Sequence, residues 1–169
     1  MRIGRHLCLI FGIILSLNLE AQDLNQYLQR GFDFQIKNQY REAINLYDSL
    51  LQIWVNEPNI LYQKALCLIR MNQPDEALAN FHQIIALRPC FAGGYYGAAT
   101  ACVAMGQWEQ AFDYIEKTIA LDSENSEYFL LRGRILIGLN RTKEACKDFK
   151  KAKKMGNQDA PFALYNYCK

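Results

Sequence analysis

The chain is poor in the residues that usually carry chemistry. Its 169 residues include only two histidines, His6 and His82. No HExxH, CxxC, GxSxG or P-loop string occurs in it. The spacings that hold a catalytic zinc, a redox dithiol, an elbow serine or a nucleotide phosphate are therefore missing. Proline is scarce, with four residues, and no Ser- or Gly-rich tract marks a linker between domains. An excess of one charge is missing too. Nineteen basic residues face 17 acidic ones, which gives no bulk pull on nucleic acid or anionic membranes. No apolar run approaches the roughly 20 residues a spanning helix needs. What is present is apolar and aromatic. Half the chain is hydrophobic (51%), with ten Tyr and nine Phe, enough to exclude disorder as the default.

The longest apolar run is LCLIFGIILSL, residues 7–17, preceded by Arg2 and Arg5 and followed by Asn18, Glu20 and Ala21. That layout predicts a secretory signal peptide over residues 1–21, cleaved after Ala21. The alternative is that the segment is retained as an anchor. Cys8 lacks an apolar run before it and does not read as a lipoprotein site. Cleavage would remove Arg2, Arg5 and Glu20, leaving 148 residues with 17 basic and 16 acidic side chains. That length suits one ordinary domain.

The remainder repeats at a step of 34 residues. Ala77 recurs as Ala43, Ala111 and Ala145, and Ala65 aligns with Gly31, Ala99 and Gly133. Phe81 aligns with Tyr47, Ile115 and Phe149, and Leu61 with Tyr27, Tyr95 and Phe129. Two antiparallel helices joined by a tight turn need small residues where they cross. A large residue one turn further along the same face fills the remaining gap. The pattern predicts helix pairs at 23–37 and 40–54, 58–71 and 74–87, 91–105 and 108–121, and 126–139 and 142–155. Within each pair the break holds Asn or Gly (Asn38, Asn72, Gly106, Asn140), residues that accept a left-handed helix end. Pro58 and Pro74 stand where a helix start loses nothing by a missing N–H. After Asn157 the repeat stops. Asp159 is placed to cap a short final helix over about 159–168, covering the apolar end of the stack.

This 34-residue helix–turn–helix, with its small and aromatic columns, resembles the tetratricopeptide repeat family. The copies fall at about 24–57, 58–91, 92–125 and 126–157. The resemblance implies an all-α fold, an α-solenoid of about four hairpins with a C-terminal capping helix, within one domain over 22–169. The second copy matches best, with Ala65, Glu76, Ala77, Phe81 and Pro89 in place. Elsewhere Val55, Ser123 and Asn157 replace the proline, and Cys102 an aromatic. The tail, EACKDFKKA followed by GNQDAPFALYNYC, is similar to the end of exported bacterial members.

In this family the first helix of each pair lines a concave groove that binds peptides or partner helices. By register the lining is Leu28, Phe32 and Gln35, then Tyr62, Leu66, Ile69 and Arg70, then Tyr96, Thr100 and Val103, then Glu127, Leu130 and Arg134. Tyr62, Tyr96, Arg70 and Arg134 are the expected anchors, because Tyr and Arg often dominate interfaces. The carboxylate clamp of chaperone-binding members is absent. Leu28, Phe32, Gln63, Gly93 and Gly97 occupy its places.

Five cysteines follow residue 21: Cys67, Cys90, Cys102, Cys146 and Cys168. Cys146, early in the last repeat helix, and Cys168, at the end of the tail, lie at similar distances from a turn near Asn157. Antiparallel packing would bring them together as a disulfide in an oxidising compartment. The alternative is that both are small core residues. The other three read as apolar filler, with Cys90 in a loop. Seven basic residues crowd 141–154: Arg141, Lys143, Lys147, Lys150, Lys151, Lys153 and Lys154. Their one aromatic, Phe149, belongs to the packing column, so they read as a solvated helix face, ahead of a patch for acidic partners or lipid. His82 reads as a surface residue, and Asp75, Glu76 and Glu109 as helix-start acids. No convergent catalytic or metal site is expected, and no cofactor. The expectation is a non-enzymatic scaffold or adaptor in the periplasm or outside the cell. It would bind a protein or peptide and no nucleic acid. It would meet membrane only if residues 1–21 persist, as a tethered subunit of an envelope complex.

Overall fold

A computed structural model describes residues 24–168. The expected signal segment, residues 1–21, lies outside the described residues. Among the described residues there are nine helices and no strand. Helix α1 covers 24–36. Then follow α2 (Tyr40–Ile53), α3 (Pro58–Arg70), α4 (Pro74–Leu87), α5 (Ala92–Ala104), α6 (Trp108–Leu121), α7 (Ser126–Gly138), α8 (Thr142–Lys154) and α9 (Ala160–Tyr167). The four pairs and the tail helix fall within about two residues of the ranges read from the sequence.

The turn chemistry explains that agreement. Asn38, Asn72, Gly106 and Asn140 take φ values of 57°, 59°, 72° and 59°. At each, the following residue's N–H donates back to a carbonyl five residues earlier: Gln39 to Phe34 (2.9 Å), Gln73 to Leu68 (2.9 Å), Gln107 to Cys102 (2.9 Å) and Arg141 to Leu136 (2.8 Å). This is the Schellman closure, which satisfies carbonyls that a helix end leaves unpaired. Gly156 (φ 89°) closes α8 in the same way, with Asn157 N–H donating to Ala152.

Small-against-large packing then sets how closely the helices approach. A Cβ on Gly31 would stand 2.3 Å from the Tyr47 hydroxyl, and one on Gly133 would stand 2.3 Å from the Phe149 ring. Tyr47, Phe81, Ile115 and Phe149 are all fully buried. So the large column lies directly on the small column of the partner helix.

Each hydrophobic cluster is completed by the following repeat. Ala43, Tyr47 and Leu50 share a core with Ile60 and Cys67. Leu61, Ala65 and Phe81 share one with Ala98. Ala99, Ala111 and Ile115 share one with Tyr128, Leu131 and Ile135. Phe129, Ala145 and Phe149 share the last with Ala160 and Ala163 of α9. The last repeat has no successor, so α9 supplies the missing wall. That is the nearest-neighbour logic of a solenoid.

One cap differs from expectation. The Asp159 side chain makes no capping bond. Asn157 does the work instead, its Oδ1 accepting from the N–H groups of Asp159 and Ala160 at 3.0 Å each. Its amide donates to Glu127 (2.6 Å). The cap moves because Gly156 reverses the chain and tucks Asn157 inward, leaving it 6% exposed.

Candidate functional site: the concave face

The first helices of the pairs, α1, α3, α5 and α7, supply the expected groove positions, and the structure sorts them into three groups. Phe32, Leu66, Ile69, Arg70 and Thr100 come together around a hollow of about 470 Å³, with Gln35, Ile36 and Tyr40. Phe32 and Ile36 are 49% and 65% exposed, unusually open for such side chains. Arg70 is exposed, and no carboxylate pairs with it among the described residues. Gln35 joins the first two repeats. Its amide donates to the Tyr47 hydroxyl (2.8 Å) and to Gln63 Oε1 (3.0 Å). The hollow thus offers apolar walls, a fixed amide edge and the Arg70 guanidinium, unpaired among the described residues. Ile36 and Tyr40 were missed in the register. Ile36 stands four residues after Phe32 on α1, so helical spacing could have found it.

A second, aromatic group lies further along. The Tyr62 ring packs edge-on to Phe81 and to Phe91, each at 5.9 Å between centroids, and Tyr96 lies 5.1 Å from Tyr128. Burial pushes the phenol pKa up for Tyr62, Tyr96 and Tyr128. These rings are half-buried or buried partners of the core clusters. Val103 packs beside Tyr96 in one of them.

The third group leaves the groove. Leu28 packs against the first core cluster. Leu130, expected on the groove wall, is only 2% exposed, within the cluster that α9 closes. In an interior repeat the equivalent positions hold Tyr62 and Tyr96, which stay half-open. At the last repeat the docked cap helix covers the position. Arg134 keeps half its surface exposed but sits 3.6 Å from Asp159. Glu127 is held by Asn157. The expected anchor role of Arg134 is therefore shared with the cap.

A charged network that joins α6, α7 and α8 was not legible in the residue pattern. Arg132 donates from Nε and Nη2 to the two oxygens of Asp148, both at 2.7 Å, and from Nη1 to Glu116. These bonds hold the guanidinium pKa above its ordinary value, against the opposing effect of burial. A hollow of about 260 Å³ beside it is lined by Phe112, Arg141, Glu144 and Lys147. Arg141 lies over the Phe112 ring (4.7 Å) and pairs with Glu144 (2.7 Å). Hydrogen bonds from Arg141 lower the Glu144 pKa. Both arginines of this site, Arg132 and Arg141, are therefore engaged by carboxylates. Elsewhere, His82 is exposed and 2.7 Å from the Tyr114 hydroxyl. Cys67 and Cys102 are buried and Cys90 is exposed.

Two family profiles match the chain. One, described as anaphase-promoting complex, cyclosome, subunit 3, covers residues 36–118. The other, described as tetratricopeptide repeat, covers residues 126–158. The chain is a tetratricopeptide repeat protein. Among its relatives is serine/threonine-protein phosphatase T of Trypanosoma brucei brucei (strain 927/4 GUTat10.1), 28% identical over 108 residues, or 64% of this chain and 22% of that one. The repeat protein spans between 14% and 28% of the length of the curated relatives it matches. Among solved structures, MamA residues 41–end from Desulfovibrio magneticus RS-1 is 25% identical. It has a TM-score of 0.72, over 79% of this chain and 76% of that one. YrrB, described as a tetratricopeptide repeat protein with an unusual peptide-binding site, shares the fold at 17% identity. Its TM-score is also 0.72, over 82% of this chain and 73% of that one.

Proposed function

We propose that this repeat protein is a non-enzymatic adaptor that holds a protein or peptide segment in its concave face. The observation that carries the reading is the 470 Å³ hollow. Phe32, Ile36 and Leu66 give it apolar walls, and Arg70 gives it a cation unpaired among the described residues. Such a site suits an apolar side chain next to a carboxylate, the pairing of apolar anchor and charged hydrogen bond that marks strong interface residues. The peptide site described for YrrB supports a binding role for the shared fold. Two substitutions test it: Arg70→Glu and Phe32→Ala. A photo-crosslinker at Ile36 should capture a partner that Arg70→Glu abolishes, while a crosslinker at Asp113 should not capture it. Retention of the same partner by both variants would overturn the groove reading.

Export of the protein, to a periplasm or outside the cell, is part of the proposal. The apolar run of residues 7–17 and a cysteine pair suited to an oxidising compartment support it. The sulfurs of Cys146 and Cys168 are bonded across α8 and α9, with Cα atoms 5.7 Å apart. Among the described residues no helix is long and apolar enough to cross a membrane. If residues 1–21 are retained, the same domain becomes a tethered subunit. N-terminal sequencing of the native protein separates the two, a start at Gln22 rejecting the tether.

A further inference from the structure

We propose that the C-terminal end of the solenoid, formed by α8 and α9, docks on anionic lipid bilayers. The surface lies apart from the groove and does not depend on it. It needs no contribution from residues 1–21.

Charge is strongly partitioned along the chain. Residues 22–140 hold nine basic and thirteen acidic side chains, whereas residues 141–169 hold eight basic and three acidic. Those three acids are engaged: Asp148 by Arg132, Glu144 by Arg141 and Asp159 beside Arg134. Lys143, Lys147, Lys150 and Lys154 are spaced by four, three and four residues, so they form one stripe along α8. The stripe lies opposite the buried Ala145 and Ala152. All four are exposed, and none pairs with a carboxylate among the described residues.

Read as a string, this cluster has no exposed aromatics, its one ring, Phe149, being buried, and on that ground it passes for a solvated face. The fold supplies them from α9. The Cys146–Cys168 bond ties the end of α9 to the start of α8, so the tail runs back along the lysine helix. Its Ala160 and Ala163 turn inward, and Phe162, Tyr165 and Tyr167 remain 72%, 76% and 48% exposed. A hollow of about 290 Å³ lined by Thr142, Lys143, Lys150 and Tyr167 joins the two helices. The opposite end of the solenoid is different: the hollow on α1 is lined by Gln26, Tyr27, Gln29, Arg30 and Asp33. Helix α1 exposes rings too, Tyr27 at 40% and Phe32 at 49%, but it sets them beside Asp33 and Arg30 and carries no lysine stripe, so the pairing of exposed rings with a row of lysines belongs to the C-terminal end.

The shape favours a bilayer over an acidic polypeptide. Phe162 and Tyr165 are 72% and 76% exposed and line none of the hollows described above, and the stems of Lys143 and Lys150 beside Tyr167 can lie on lipid while their ammonium groups reach phosphate. Exposed aromatics next to lysines are the composition that seats in the headgroup layer.

Residues 22–169 contain every helix described and all four core clusters. This form is the one to test, because the apolar run of residues 7–17 would itself partition into lipid. Sedimentation with vesicles of phosphatidylcholine and phosphatidylglycerol, in equal parts, is compared with phosphatidylcholine alone. Binding should require the anionic lipid and weaken in high salt. Each lysine near an anionic surface is worth about a fivefold gain, so Lys143→Gln with Lys150→Gln should weaken binding about 25-fold. Phe162→Ser with Tyr165→Ser should also weaken it, with helix content unchanged by circular dichroism. Equal binding to both vesicles, no binding at low salt, or indifference to the lysine change would each overturn the proposal. Lysine-dependent binding of polyglutamate without vesicle binding would overturn it as well, marking a face for acidic proteins.

Discussion

Removal of the Cys146–Cys168 bond should unfasten one helix and leave the rest of the molecule folded. Helix α9 is short, and what it buries is modest: Ala160 fully, Ala163 nearly so, Leu164 in part, and one side of the Tyr167 ring, which stacks on Phe149. Alanine burial alone stabilises little, since transfer energy scales with apolar area. The bond spans a sequence separation of 22. Closing a loop of that size restrains the open chain by about 3 kcal/mol. In the oxidised protein that restraint favours docked α9, and reduction removes it. An equilibrium shift of that size is about two decades. Hydrogen exchange measures it directly. The amides of α9 should lose about a hundredfold protection on reduction, or in Cys146→Ser with Cys168→Ser. Amides of α3 and α4, two repeats away, should change little, because coupling in a solenoid passes only between neighbours. A loss in α9 below about tenfold would refute the entropic reasoning. An equal loss across all repeats would refute the local one.

Further tests follow from the core and the ion pairs. Gly133→Ala should cost about 1–3 kcal/mol by overpacking against Phe149, read from urea unfolding. Adding Phe149→Ile should recover much of it, because the pair then matches Ala99 and Ile115 of the third copy, both fully buried. Arg132→Met should cost about 3 kcal/mol, because it leaves Asp148 buried without its bidentate partner. Adding Asp148→Asn should restore part of that in a double-mutant cycle. Alkaline pH should destabilise the fold. Burial pushes Tyr47 up to about 12 from 10.0, and Cys67 and Cys102 to about 11 from 9.0. The unfolded chain therefore loses these protons first. Their contribution is intact below pH 9 and is lost as pH rises from 9 to 12. Urea midpoints measured from pH 8 to 12 should fall, and Tyr47→Phe should shallow the slope above pH 10.

The helices and their turns were legible because they rest on local chemistry that repeats. Asn or Gly at a left-handed helix end, proline at a helix start and alanine or glycine under a ring each act within a few residues of themselves. With four copies in register, a weak local preference becomes a pattern. The concave site was legible only in outline. Register places Phe32, Leu66, Arg70 and Thr100 on one face, and they do meet. It could not see that Leu130 is roofed by α9, or that Gln35 is engaged by Tyr47 and Gln63, because those depend on contacts between repeats.

The sequence by itself therefore determined the hairpins, their spacing and the small-against-large columns, since each is a short-range constraint written in the residues that obey it. Only the tertiary structure decided which exposed positions remain open, which charges are already paired, and that Lys143 and Lys150 of α8 share a hollow with Tyr167 of α9. Those outcomes depend on where a helix docks. Docking is a sum of many small contacts between distant segments, and no single stretch of the chain encodes it.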